Sequence, residues 1–240
     1  MKIWSYSDTH GQHKFMDYPS PSDRIDTMIH SGDLTNGGSP TEIWSAINWF
    51  GDLVKDGIFK RVIFTPGNHD KFLQKADFRR EVENNLPDGV IMLIDQSIVV
   101  EGLTFYGSPW TPEFNNYFFG YRRDLEVARA CWAQCPDKVD ILITHGPPLG
   151  ILDEVLDQRA SFVANEKVYR NIGCQGLLER VLDVKPYAHI FGHCHVGYGK
   201  WEQDGIRFFN SALLNTYHTV NSPPWQFEVI KVDDECITIY

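Results

Sequence analysis

The stretch KIWSYSDTHG, residues 2–11, decides how this chain is read. Lys2 to Ser7 is a short apolar run of strand type, and it breaks into a polar loop that carries Asp8, His10 and Gly11. The same change recurs down the chain. Thr27 to His30 runs into SGDLTNGG (31–38), and Arg61 to Thr65 into PGNHD (66–70). Asp140 to Thr144 runs into HGPPLG (145–150), and Ala188 to Phe191 into GHCHVGYG (192–199). Loops at the same ends of neighbouring strands converge in space, and such ends commonly hold ligands.

The segments between these runs fill in an α/β pattern. A helix is predicted from about Pro40 to Lys55, with Ser39 as its cap and Pro40 in its first turn. Further helices are predicted over Lys71–Asn84, Arg122–Gln134 and Gly176–Val184. Short strands are read at Val90–Leu93, Ser97–Val100 and Leu103–Tyr106. The loop GSPWTPEFNNYFFG (107–120) follows them. Ile206–Asn210, Gln226–Val232 and Cys236–Ile239 close the chain as strands. Strand–helix alternation first and strand-rich sequence last predict sheets packed with flanking helices. The chain has 240 residues and no repeat, low-complexity tract or Gly/Ser linker, so a single domain over residues 1–240 is expected.

Composition narrows the function. Hydrophobic residues make up 42% and charged residues 22%, ordinary for a soluble protein. No apolar run approaches the roughly 18 residues that span a bilayer. The opening MKIWSYSDTHG lacks the apolar length of a signal peptide, so a cytoplasmic address and no membrane partner are expected. The five cysteines are an odd number without framework spacing, which suits thiols in a reducing compartment. Cys131 and Cys135, one helical turn apart, read as buried or half-buried thiols before they read as a metal pair. A net charge of −10 with no basic stripe disfavours a long nucleic acid and favours a small-molecule substrate.

Each polar loop supplies donors suited to a hard cation. Asp8 and His10 are two apart, so in an extended segment they point the same way. Asp33 can bridge two cations through its two oxygens, and Gly32 allows close backbone approach. Asn68 offers a neutral carbonyl oxygen. His69 is then free to face a substrate, with Asp70 orienting its ring as supporting carboxylates do, or else capping the next helix. Asn36 reaches the same place or caps its own turn. His145 sits before Pro147 and Pro148, which stiffen its loop. His193 and His195 share a face of an extended segment, with Cys194 on the other. Taken together, Asp8, His10, Asp33, Asn68, His145, His193 and His195 offer oxygen and imidazole without thiolate. That donor set suits Mn, Fe, Zn or Mg. Two cations about 3.5–4 Å apart can activate a bridging hydroxide and neutralise charge on a phosphate. The mid-chain aromatics Phe105, Tyr106, Trp110, Phe114, Tyr117, Phe118 and Phe119 either line a base-stacking wall or pack as core; core is the reading for most, and Trp110 is kept as a candidate substrate contact.

In order, spacing and flanking glycines, these five segments resemble the calcineurin-like metallophosphoesterase superfamily, over Asp8 to His195. The segments SDTHG, LTFYGSPWTPEF, THGPPLGILD and FGHCHVGYG, with Asn210 and the late NSPP, look most like the metallophosphoesterase-domain-containing (MPPED-like) branch. That branch is related to the class III cyclic-nucleotide phosphodiesterases. Some animal members lack one His of the last motif, whereas this chain keeps both His193 and His195. The resemblance implies a four-layer α/β/β/α sandwich and two divalent metal ions, Mn foremost, with Fe, Zn, Mg or Ni as alternatives. It implies one metal on Asp8, His10, Asp33 and His195, and the other on Asp33, Asn68, His145 and His193. His69 would steady the phosphoryl oxygens and protonate the departing alkoxide. The implied activity is hydrolysis of small phosphodiesters, among them 2′,3′- or 3′,5′-cyclic nucleotides. The alternatives are a phosphatase or nuclease of the same superfamily, or a nucleotide-binding scaffold with little turnover. No oligomeric state is implied.

Overall fold

The strand Lys2–Tyr6 lies in the middle of a six-stranded sheet. The structure, a computed structural model, describes residues 1–114, 117–232 and 236–239. Parallel to the first strand run Ile25–His30, Phe59–Phe64 and Val90–Met92, in that order outward. Trp225–Val232 and Cys236–Ile239 extend the other edge antiparallel. A second six-stranded sheet has a parallel centre of Leu103–Ser108, Ile141–Thr144, Ala188–Phe191 and Ile206–Asn210. Gln96–Val100 and Gly199–Gln203 form its antiparallel edges.

The alternation of side chains along these strands explains the layering. Ile29 and Ile63 belong to one apolar cluster with Phe105, Ile141, Ile143, Ile190 and Phe209 of the second sheet. Met28, Val62 and Phe64 belong to another, with the helix residues Ile43, Ala46, Ile47, Phe50 and Leu53. Tyr106, Leu142, Phe191 and Phe208 form a third, with Ala128, Trp132, Leu177 and Val181 from two more helices. Successive strand residues therefore enter different cores, as a period of two requires. Three apolar seams separate helices, sheet, sheet and helices. This is the expected four-layer α/β/β/α arrangement, with central strands buried on both faces.

The helix Pro40–Lys55 begins as read. Ser39 Oγ accepts the Glu42 amide at 3.3 Å, and the Glu42 carboxylate accepts the Ser39 amide at 2.9 Å. Such a reciprocal cap stabilises a helix start by about 1 kcal/mol. The helix expected over Lys71–Asn84 is instead a 3-10 turn, Lys71–Gln74, and then a helix, Ala76–Asn84. Lys75 between them is extended, with ψ 117°. The expected Arg122–Gln134 helix is shorter, Leu125–Trp132, because the Asp124 side chain caps it at Glu126 and Val127. Gly199–Gln203 escaped the reading as a strand: past Gly199 it is exposed along its length, and its residues are mostly polar. Among the described residues no helix is long and apolar enough to cross a membrane.

Candidate metal centre

The ligand-bearing loops all leave the C-terminal ends of parallel strands. They are laced to one another by main-chain bonds: Asp8 N to Gly32 O, 2.9 Å; His10 N to Asp33 O, 3.0 Å; Gly192 N to His145 O, 2.9 Å. The expected extended geometry is not what brings the donors together. Asp8, His10, Asp33 and His193 all have left-handed backbones, with φ of 54°, 43°, 53° and 66°. His195 opens a 3-10 turn. Non-glycine residues in this region are uncommon and gather where function demands an unusual direction. His193 and His195 consequently serve different clusters instead of sharing one face. Cys194 is buried and belongs to none of the donor groups among the described residues.

Two clusters form. In the first, His195 Nε2 lies 3.3 Å from Asp8 Oδ1 and 3.3 Å from His10 Nε2, and His10 Nε2 lies 3.8 Å from Asp33 Oδ2. In the second, His145 Nε2 lies 2.8 Å from Asn68 Oδ1 and 3.4 Å from Asp33 Oδ1, with the His193 ring centred 5.0 Å from that of His145. The two oxygens of Asp33 thus face two different donor sets. Asp8 Oδ1 is buried without a hydrogen-bond partner among the described residues. A buried, unpartnered carboxylate oxygen amid imidazole nitrogens is what a cation would satisfy. The donor set therefore fits a pair of divalent ions.

The surroundings leave little freedom. A Cβ on Gly192 would stand 2.0 Å from Ser7 Oγ and 2.1 Å from Asp8 Oδ2. One on Gly32, whose φ is +106°, would stand 2.5 Å from His145 Nδ1. Both positions require glycine. Main-chain carbonyls aim the rings: His145 Nδ1 meets Ser31 O at 3.0 Å, and His195 Nδ1 meets Asn215 O at 3.0 Å. Donation of the Nδ1 proton to a carbonyl leaves Nε2 for a ligand.

Electrostatics follow the same pairing. Burial works against charge on Asp8, but His195 close beside it and the other neighbouring imidazoles outweigh it and hold the carboxyl well below the ordinary range. Burial likewise opposes the ionised form of Asp33, and His145 overcomes it, so that carboxyl also falls. In return Asp33 pushes His145 up to about 9 against its burial, and Asp8 does the same for His195, also up to about 9. Burial dominates at His10 and His193, which drop to about 4 and about 3.

His69 lies at the rim of both clusters. Its amide donates to Asp33 Oδ1 at 2.8 Å, and its ring centre is 4.7 Å from that of His10. The expectation that Asp70 orients this ring needs correction. Asp70 accepts from the amides of Gly67, Leu34 and Thr35 and from Thr35 Oγ1, so it ties two ligand loops together. Nor does its side chain cap the following turn. The ring is oriented instead by the carbonyl oxygen of Asn36, 2.7 Å from Nδ1, while the Asn36 residue is exposed. Trp110 is also placed otherwise than expected. Its Nε1 donates to Asp95 at 2.7 Å, and its ring packs edge-on against Phe119. The aromatics at the site are Tyr117, centred 5.0 Å from His69, and Phe114, centred 4.9 Å from His193. They stack on each other at 4.9 Å.

Three further residues belong to the site's frame. Asn210 donates to the carbonyls of Cys194, 2.9 Å, and Leu152, 3.0 Å, which fixes the His193–His195 loop. Asn215 holds His195, as above. His218 stacks flat on His10, with ring centres 4.2 Å apart and planes 9° apart. The sequence around the last two carries no motif, so only the fold reveals them. Cys131 and Cys135 are thiols, driven up to about 12 and about 11 by burial.

This fold and this set of donors define a metal-dependent phosphoesterase of the calcineurin-like kind: residues 1–197 match the family described as calcineurin-like phosphoesterase, and the chain belongs to it. Membership makes it a phosphoester hydrolase by class. Among its relatives is metallophosphoesterase domain-containing protein 1 of Homo sapiens, 34% identical over 239 residues, spanning 90% of this chain and 68% of that protein. A UPF0046 protein of Caenorhabditis elegans is 31% identical over 242 residues, spanning 96% of this chain and 76% of its own. A solved crystal structure 13% identical superposes with a TM-score of 0.57 over 87% of this chain and 89% of the other, a likeness of fold.

Proposed function

We propose that the protein is a two-metal phosphodiesterase of small substrates, cyclic nucleotides among them. The observation that carries this reading is the division of Asp33, one oxygen to each donor cluster, with His69 beside both. Asp8, His10, Asp33 and His195 would hold one ion, and Asp33, Asn68, His145 and His193 the other. A pair of divalent ions supplies neutralising charge for the phosphate and lowers the pKa of water between them.

The chain's own residues do the rest. The Asn36 carbonyl engages His69 Nδ1, so Nε2 is left to pass a proton to the leaving oxygen. Its amide, bonded to Asp33, keeps the ring in register with the bridging carboxylate. The stacked Phe114 and Tyr117 offer a flat apolar wall beside His69 and His193, suited to a nucleobase. The formal charge of −10 supports a small substrate over a long polyanion. The test is hydrolysis by Mn-reconstituted protein of 2′,3′- and 3′,5′-cyclic nucleotides, bis-p-nitrophenyl phosphate and p-nitrophenyl phosphate. Diesters should be turned over faster than the monoester. A large monoesterase preference with the same metal overturns the reading.

A further inference from the structure

His218 has a place that neither core packing nor the seven donors explain. It is half-buried, on a turn whose backbone is left-handed at that residue, φ 54°. Its ring centre is 4.2 Å from His10, 5.5 Å from His195 and 6.4 Å from His69. Ring nitrogens of His10, His195 and His218 lie within 4.8 Å of one another. Among the described residues, no hydrogen-bond partner stands at either ring nitrogen of His218.

The turn is built to hold it there. Asn215 Oδ1 accepts the amides of Tyr217 at 2.9 Å and Thr219 at 3.2 Å, and the Asn215 carbonyl accepts the His218 amide at 2.8 Å. That carbonyl is the one that aims His195. The Gln12 amide, from the loop after the first strand, holds the His218 carbonyl. So the turn is fastened to two of the three ligand loops of the first cluster, those of His10 and His195. A cleft of about 280 Å³ opens beside it, bordered by His193, His195, Val155, Leu156, Tyr217 and His218.

A ring fixed at this cost in backbone freedom, with unengaged nitrogens at the edge of an open cleft, is preorganised for a ligand. The first cluster already converges four donors. A fifth protein ligand would occupy the position that water or substrate needs. The flat stack on His10 instead sets the ring alongside a coordinating imidazole, where an oxygen of a bound ester would lie.

We propose that His218 is a substrate-binding residue that hydrogen-bonds a phosphoryl oxygen beside His10 and His195, its turn walling the cleft that receives the second arm of a phosphodiester. The second half of this proposal rests on the diesterase reading. The first half does not, since inorganic phosphate carries the same oxygens.

The experiment uses Mn-loaded full-length protein and the variants His218→Ala, His218→Asn and Tyr217→Ala. Titration calorimetry with inorganic phosphate should show His218→Ala binding more weakly by roughly tenfold to a hundredfold, the worth of one hydrogen bond to a charged group. His218→Asn, which keeps an N–H donor, should recover part of this. Both should retain two metal equivalents. With bis-p-nitrophenyl phosphate, His218→Ala should raise KM more than it lowers kcat. Tyr217→Ala should raise KM for the diester and leave phosphate binding unchanged. Loss of one metal equivalent in His218→Ala would make it a ligand and overturn the proposal. So would unchanged phosphate affinity in both His218 variants. If the wild-type protein hydrolysed only monoesters, the diesterase reading and the cleft's role would fall, while the phosphate titration would still decide His218.

Discussion

The two donor clusters share Asp33 but differ in how far their donors engage one another. In the second, His145 Nε2 reaches Asn68 Oδ1 and Asp33 Oδ1, its Nδ1 reaches Ser31 O, and both His145 and Asn68 are buried. Three of its donors, Asp33, Asn68 and His145, engage one another. In the first, Asp8 Oδ1 and His10 Nδ1 are buried without partners among the described residues, and the turn beside it carries exposed Tyr217 and half-buried His218. An unsatisfied buried polar atom costs about 1–3 kcal/mol. The first cluster therefore has more buried polar cost for a cation to relieve than the second, whose donors are more fully engaged with one another.

The largest effect that tests this comparison is removal of the residue the halves share. Asp33→Ala should lose both metals and reduce activity by roughly 10³-fold or more, beyond the 10–100-fold that outer supporting residues typically command. Elemental analysis after Mn reconstitution checks it. Retention of two equivalents would end the bridging assignment.

Next comes His69, which stands with His10 and Asp33 as a group that could itself hold an ion. If His69 is the acid, His69→Ala should slow a diester with a poor alkoxide leaving group by about 10²–10⁴-fold. p-Nitrophenolate leaves without help, so the nitrophenyl diester should lose clearly less. Metal content should stay at two equivalents. Loss of one ion would move His69 into the first cluster. Equal losses for both esters would make it a charge stabiliser.

The asymmetry also predicts local order. Stripping metal with a chelator should raise amide exchange by about 10–100-fold in residues 8–12 and 215–219, the range set by a cost of 1–3 kcal/mol. Residues 145–148 should change much less. Equal deprotection of both sets, read by hydrogen-exchange mass spectrometry, would erase the distinction.

How much of this the sequence disclosed depends on the kind of feature. Residue types at strand ends were legible because the strand-to-loop change is a local pattern, repeated at Asp8, Asp33, Asn68, His145 and His193. The layered α/β fold was legible because the apolar runs are short and alternate with amphipathic helices. The directions of side chains were not. Reading Asp8 with His10, or His193 with His195, as i and i+2 of extended chain assumes a backbone that left-handed residues contradict. Asp70 was misread because its partners, Leu34 and Thr35, lie 35 or more residues away. Trp110 was misread because Asp95, which takes its N–H, sits on a different strand connection. His218 and Asn215 come from a turn after the last recognisable motif, and only closure of the two sheets brings that turn to the site.

The smallest effect concerns protons, and it treats the two halves alike. His145 in one cluster and His195 in the other are both raised to about 9, while His10 and His193 lie at about 4 and about 3. At pH 7 without metal, the first pair is protonated and the second neutral. A metal-bound imidazole must be neutral at its donor nitrogen. Each ion should therefore displace about one proton at pH 7, one from each raised histidine. The sign follows: apparent affinity for each ion should rise about tenfold per pH unit below 9, and level off above it as the protons are already gone. Titration calorimetry in buffers of different ionisation enthalpy reads the protons directly. Release of about two protons per chain from these histidines at pH 7, on top of any from metal-bound water, with the histidine share gone above pH 9, is the expected result. If only one proton were released with both ions bound, only one of the two His–Asp pairs would be charged in the metal-free protein, and the electrostatic likeness of the two clusters would break where their hydrogen bonding already does.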